Sequence, residues 1–357
     1  MNSADERAFS SCSTISMSRK GLAIAFLALL IGALLQSCAV KMMQDGGMSE
    51  TSLHETAPEL LKEYLKASDG YRLPYTLLTP ELESEAVVIA LHGFNDYSHA
   101  FQGMCEYFVD RSITCLAYDQ RGFGDTKNHG AWHGADAMRQ DLKEYVSTVA
   151  KRYPSLPIFL VGESMGGAVI MSALANDAAF YEESIAGAAL LAPAVWARST
   201  QPWYQRWALW LAVHTFPSWR PTGEGLGVQA TDNIEALRKM YRDDKIIKET
   251  RIDSIYGLTN LMDEALAASP EVHGPLLVLY GELDEVIPKL PTCKMLAAMQ
   301  FERQGVTFKK YPRGYHMLSR DLQAEEVFRD LHAWINNTNI DVDQSRRDSQ
   351  ILCAEVD

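Results

Sequence analysis

The chain has 357 residues, 47% of them hydrophobic and 22% charged. That is enough for a substantial core, and too apolar for wholesale disorder, collagen or a coiled-coil rod. Its 33 Lys and Arg against 46 Asp and Glu give a formal charge of −13, which argues against a nucleic-acid partner because phosphate contacts need clustered cations.

The first distinctive element is Gly21 to Leu35, fifteen residues without a charge, preceded by Arg19 and Lys20 and followed by Gln36-Ser37-Cys38. A basic stretch, an apolar run and a small residue before a cut form the layout of an export signal, and the run is short for a membrane span of about 20 residues. Leu35-Gln36-Ser37-Cys38 resembles a bacterial lipobox, with Gln36 an unusual residue inside it, and that resemblance implies lipidation at Cys38. An uncleaved anchor and plain secretion are the alternatives. Asp5 and Glu6 are out of place in such a leader, which makes Met17 a second candidate start. The pattern predicts a signal peptide over 1–37, a polar tether over 38–58, and a membrane-associated, periplasm-facing location in the cell envelope.

Beyond the tether, apolar runs alternate with amphipathic ones through a domain over 59–340. Asp69-Gly70 before Tyr71–Leu78 predicts an antiparallel hairpin. Strands are predicted at Ala86–His92, Ile113–Tyr118, Ile158–Val161, Ala186–Leu191, Leu276–Tyr280 and Val306–Tyr311. Most are continuous Val, Ile, Leu and Ala runs, as in strands buried on both faces of a parallel sheet. Helices are predicted at Ala135–Tyr153, Pro288–Gln300 and Ala324–Ile335. The alternation implies an α/β, doubly wound, mostly parallel sheet. The rhythm breaks at about 195–269, which reads as a helical insertion holding Trp196, Trp203, Trp207, Trp210 and Trp219. The tail over 341–357 is polar and reads as loose.

Ile158–Val161 runs into Gly162-Glu163-Ser164-Met165-Gly166-Gly167 and a helical stretch. This is G-x-S-x-G at a strand-to-helix turn, where a serine on a sharp turn exposes its Oγ above the sheet and side chains two positions either way would collide with neighbouring elements. Ser164 is the expected nucleophile. An oxyanion hole needs a second N–H from the loop after an earlier strand, which points to the backbone amides of Phe94 and Met165. His92 reads as a brace for that loop. A serine needs a histidine to take its proton and a carboxylate to orient the histidine. In chain order these follow the serine, and His316 lies just after the strand Val306–Tyr311. Asp284, Glu282 and Glu285 compete as the acid, and Asp284 sits deepest in the turn after Leu276–Tyr280. No His-Glu-x-x-His, Cys-x-x-Cys, phosphate loop or dinucleotide fingerprint occurs, so neither metal nor cofactor is expected.

His92-Gly93-Phe94, Tyr118-Asp119-Gln120-Arg121-Gly122-Phe123-Gly124, Gly162 to Gly167, Gly281 to Pro288 and Gly314-Tyr315-His316 together resemble the α/β-hydrolase superfamily, and within it the monoacylglycerol lipase and lysophospholipase-like, serine aminopeptidase-like hydrolases. The resemblance implies the α/β-hydrolase fold, a triad of Ser164, Asp284 and His316, and a cap over the serine. Relatives often have His-Gly-x-Gly-Glu in the oxyanion loop, where this chain has Asn95 and Asp96; Asp96 matches the acidic position that helps hold a glycerol head group.

Trp203, Trp207, Trp210, Leu211 and His214 follow a helical stripe. Either this face packs on the core, or it lines an acyl channel or dips into lipid. Cys105 and Cys115 either pair or remain buried thiols. The expected activity is hydrolysis of small acyl esters or monoacyl lipids, with acyl transfer or short-chain carboxylesterase action as alternatives on the same triad.

Overall fold

The computed structural model describes residues 57–223, 227–299, 301, 305–336 and 342–354. The export segment, Cys38 and nearly all of the tether lie outside them.

In chain order the described elements are β1 (Glu59–Leu60), β2 (Tyr64–Lys66), β3 (Arg72–Leu78), β4 (Ala86–Leu91), α1 (Gln102–Val109), β5 (Ile113–Tyr118), α2 (Ala135–Arg152) and β6 (Ile158–Glu163). Then come α3 (Met165–Asn176), α4 (Ala178–Ser184), β7 (Gly187–Leu191), α5 (Trp203–Thr215), α6 (Ile234–Arg242) and α7 (Ile252–Ala268). The chain continues through β8 (Leu276–Gly281), α8 (Lys289–Ala298), β9 (Val306–Tyr311), α9 (Ala324–Ile335) and α10 (Val342–Cys353).

Nine strands form one sheet in the order β1-β2-β3-β5-β4-β6-β7-β8-β9. The first three join antiparallel, with the β2–β3 turn made through Gly70 at φ 81°; from β5 to β9 every pairing is parallel. The parallel strands are apolar throughout because both faces are covered. Val87, Ile89 and Leu91 of β4 point into one core with α2, α3, α7 and α8, while Ala86, Val88 and Ala90 point into the other with α1 and α9.

The order reverses at β4, which lies between β5 and β6. Leu91 pairs with Tyr118 on one side and Gly162 on the other. The loops leaving β4 and β6 therefore emerge side by side, where doubly wound sheets build their sites.

Two sequence expectations are corrected, and one of the alternatives for the Trp stripe is closed. The helical insertion does not run to residue 269 as a cap: Leu261, Met262, Ala265 and Ala268 of α7 and Ile247 before it are core residues, and the helices without a buried residue are α5 and α6. The Trp stripe does not pack on that core: α5 has no buried residue. The tail is not loose: Val342–Cys353 is helical, Leu352 is buried, and Cys353 is bonded to Cys293. Cys105 and Cys115 also form a disulfide, tying α1 to β5.

Candidate active site

Ser164 follows β6 and precedes the first turn of α3, with φ 53° and ψ −112°. A non-glycine residue in this left-handed conformation is strained, and the strain is held by backbone bonds on both sides. Ser164 N donates to Leu191 O at 2.9 Å, and Ser164 O accepts from Ala168 N and Ala194 N. The flanking glycines permit the close packing: a Cβ on Gly166 would lie 2.0 Å from Leu91 O, and one on Gly162 would lie 2.6 Å from the Gly166 backbone.

His316 follows β9 and Asp284 follows β8. Their loops are stitched by Glu282 N to Tyr311 O at 3.0 Å and Leu283 N to Gly314 O at 2.9 Å. Gly281 lets them meet, since a Cβ there would sit 2.3 Å from Tyr315 O. His316 Nδ1 donates to Asp284 Oδ2 at 2.8 Å. The other carboxylate oxygen accepts from Val286 N and Ile287 N at 2.8 and 2.9 Å. Both side chains are buried. Of the three carboxylates in this loop, Asp284 alone reaches the imidazole; Glu282 pairs with Lys310, and Glu285 accepts from Gln229 N. Burial works to lower the His316 pKa, but the charge and hydrogen bond of Asp284, aided by Glu163, outweigh it and raise the pKa above the ordinary 6.5.

The groups expected to react are unengaged. Among the described residues Ser164 Oγ and His316 Nε2 make no hydrogen bond, and neither the Phe94 nor the Met165 amide donates to another protein group. Two free N–H groups beside a strained serine are what an oxyanion hole requires. His92 is a brace: Nδ1 donates to Gly93 O at 2.8 Å, and Nε2 accepts from Gln120 N at 2.9 Å. Both nitrogens are committed, and burial lowers its pKa, so the ring is held neutral.

Asp96 is placed differently from expectation. It borders a cleft of about 450 Å3 between α6 and the 98–101 turn. However, Oδ1 accepts from Tyr97 N, and Oδ2 lies 2.6 Å from Arg320 Nη1. Its carboxylate is engaged within the protein, not free for a head group. Asn95 has φ 66°, a conformation that asparagine tolerates better than other non-glycine residues, which is how it replaces the family's glycine.

The tryptophans are surface groups. Trp203, Trp207 and Trp210 are 72%, 64% and 47% exposed, and Leu211 and Trp219 are exposed with them. Trp207 meets Trp210 edge-on, and Trp210 lies against His214. Exposure of this size belongs to an outer surface, not to the wall of an enclosed acyl channel. Among the described residues no cluster of His, Cys, Asp and Glu could hold a metal ion.

Sequence reasoning missed Glu163, Ser319 and Arg320. Glu163 sits inside the serine motif and Arg320 four positions after His316, and that proximity was the available signal.

Known proteins resemble this chain over most of its length. The monoacylglycerol lipase of Mycolicibacterium smegmatis is 25% identical over 282 residues, covering 74% of this chain and 93% of that protein. Human monoglyceride lipase is 23% identical over 282 residues, covering 76% and 89%. A solved structure of a soluble variant of Saccharomyces cerevisiae monoglyceride lipase with a substrate analog superposes with a TM-score of 0.65 at 19% identity, covering 82% of this chain and 99% of that one. A family model described as "Serine aminopeptidase, S33" matches residues 83–323, more than half of the chain, and with the α/β-hydrolase sheet and site just described, the protein belongs to that family.

Proposed function

We propose that the protein hydrolyses carboxylic esters of monoacyl lipids, monoacylglycerols foremost, through an acyl-enzyme on Ser164. The observation that carries the chemistry is the strained serine at the β6–α3 turn, set at the same sheet edge as an Asp284-bound imidazole and two free amides. The substrate class rests on the relatives named monoacylglycerol and monoglyceride lipase.

His316 Nε2 takes the Ser164 proton as Oγ attacks the ester carbonyl. The tetrahedral oxyanion accepts from the Phe94 and Met165 amides. Asp284 stabilises the imidazolium, which then protonates the leaving alcohol. Water adds to the acyl-enzyme with His316 again taking the proton; the imidazolium returns it to Ser164 Oγ as the Oγ–acyl bond breaks and the fatty acid departs.

The test is hydrolysis of p-nitrophenyl esters of graded chain length and of monoacylglycerols by the wild type and Ser164→Ala. The variant is expected to lose activity by roughly 10³-fold or more. Equal rates for the two proteins would refute the reading.

Membrane association in the cell envelope is part of the same proposal. It is supported by the apolar run at Gly21–Leu35, by Cys38, by the exposed Trp surface, and by two disulfides of the kind kept in oxidising compartments. Among the described residues no helix is long and apolar enough to cross a membrane, so attachment is assigned to the N-terminal segment and the Trp surface. A fatty-acid label is expected on the wild type and not on Cys38→Ala; a label that persists in the variant refutes lipidation at that residue.

A further inference from the structure

The two oxyanion donors come from separate loops. Phe94 follows β4 and Met165 follows β6, so hydrolysis requires a fixed distance between loops that share no covalent tie. One side chain spans them. Arg320 Nη1 lies 2.6 Å from Asp96 Oδ2, two residues beyond Phe94. Arg320 Nη2 donates at 3.0 Å to Glu163 Oε1, the residue before Ser164. Glu163 Oε2 accepts from the Ser319 hydroxyl, on the loop that carries His316. Asp96 and Glu163 are buried, and the Arg320 side chain is only 15% exposed.

We infer that Arg320 is a positioning residue for ester hydrolysis: its guanidinium locks the oxyanion loop to the nucleophile turn and registers both against the His316 loop. The inference rests on the reading of Ser164 as the nucleophile.

Stability alone is a poor reason for this arrangement. Burying one guanidinium with two carboxylates costs desolvation of three ions and leaves one negative charge in excess, and apolar residues of similar volume commonly do as well. The fork of donors does what an apolar side chain cannot, since it fixes two carboxylates in one plane. The same group also acts on the base. Asp284 from the β8 loop and Glu163 from β6 raise the His316 pKa, while Arg320 on its own loop lowers it.

The experiment compares the wild type, Arg320→Gln and Arg320→Lys on a soluble short-chain ester, with folding checked by circular dichroism and thermal melting. Arg320→Lys keeps the charge but not the fork. It is expected to fold and to lose roughly 10- to 100-fold in kcat, with KM within about threefold, because the defect lies in transition-state geometry. Its acid limb stays at the wild-type pH. Arg320→Gln is expected to lose at least as much kcat and to show the acid limb at higher pH, since Asp284 and Glu163 then act on His316 unopposed. Wild-type kcat in folded Arg320→Lys overturns the inference, as does an unmoved acid limb in folded Arg320→Gln. If the glutamine variant does not fold, kcat of the lysine variant decides. An inactive wild type would instead remove the reading of Ser164 on which the inference rests.

Discussion

At the scale of single residues, the proposed mechanism requires His316 to be neutral at Nε2 when Ser164 attacks. Its pKa is raised above 6.5 by Asp284, so the catalytically active fraction falls as pH drops through that raised value. The acid limb of kcat/KM is therefore expected to have its midpoint above pH 6.5, and a midpoint at or below it would contradict the buried Asp284–His316 pairing. Asp284→Asn removes the charge and the tautomer control, and kcat should drop by about 10⁴-fold with little loss of substrate binding. The placement of Ser164, His316 and Asp284 at one sheet edge was legible in the sequence because each follows an apolar strand, and strand ends converge in a parallel sheet. Arg320 and Glu163 were not. A charged residue next to a motif reads as solvated, and only the packing of three loops shows that these charges meet.

At the scale of elements, periodicity identified helices but not which side of the sheet they cover or whether they touch it. Ile252–Ala268 and Trp203–Thr215 both carry helical apolar spacing, yet α7 is core and α5 is surface. The difference is tertiary: α7 runs back onto the sheet before β8, whereas α5 leaves it. Composition gives α5 a further character. From Ser184 to Gly223 there is no Asp or Glu, while Arg206 and Arg220 accompany the exposed tryptophans in a chain of net charge −13. Indole rings with interspersed cations suit the headgroup region of an anionic bilayer. Replacing Trp207 and Trp210 together by Ser is expected to reduce binding of residues 39–357 to vesicles containing anionic lipid by several-fold. Hydrolysis of a soluble ester should remain within about twofold of the wild type. Unchanged vesicle binding would remove α5 from the lipid-facing role.

At the scale of the whole molecule, two covalent ties were only half legible. Cys105 and Cys115 stand 10 positions apart, close enough in the chain for pairing to be considered. Cys293 and Cys353 are 60 apart, and nothing local links them. The larger loop constrains the unfolded chain more. Cys353→Ser is expected to lower unfolding free energy by up to about 4 kcal/mol, and Cys115→Ser by up to about 3 kcal/mol, under non-reducing conditions. Urea denaturation checks both; a Cys353→Ser midpoint equal to the wild type would show that α10 is held by packing alone.

Asn95 ties the insertion to the loop that carries Phe94. Its carbonyl accepts from Ile247 N at 3.0 Å, and its amide donates to Thr250 Oγ1 at 2.7 Å. Residues 247–250 are thus a strut against the loop that presents the Phe94 amide, the proposed oxyanion donor. This part of the insertion cannot serve as a door while the enzyme turns over. Thr250 N, Ile252 N and Asp253 N in turn donate to Pro221 O, Trp219 O and Pro217 O, so the chain leaving α5 is tied to the same frame.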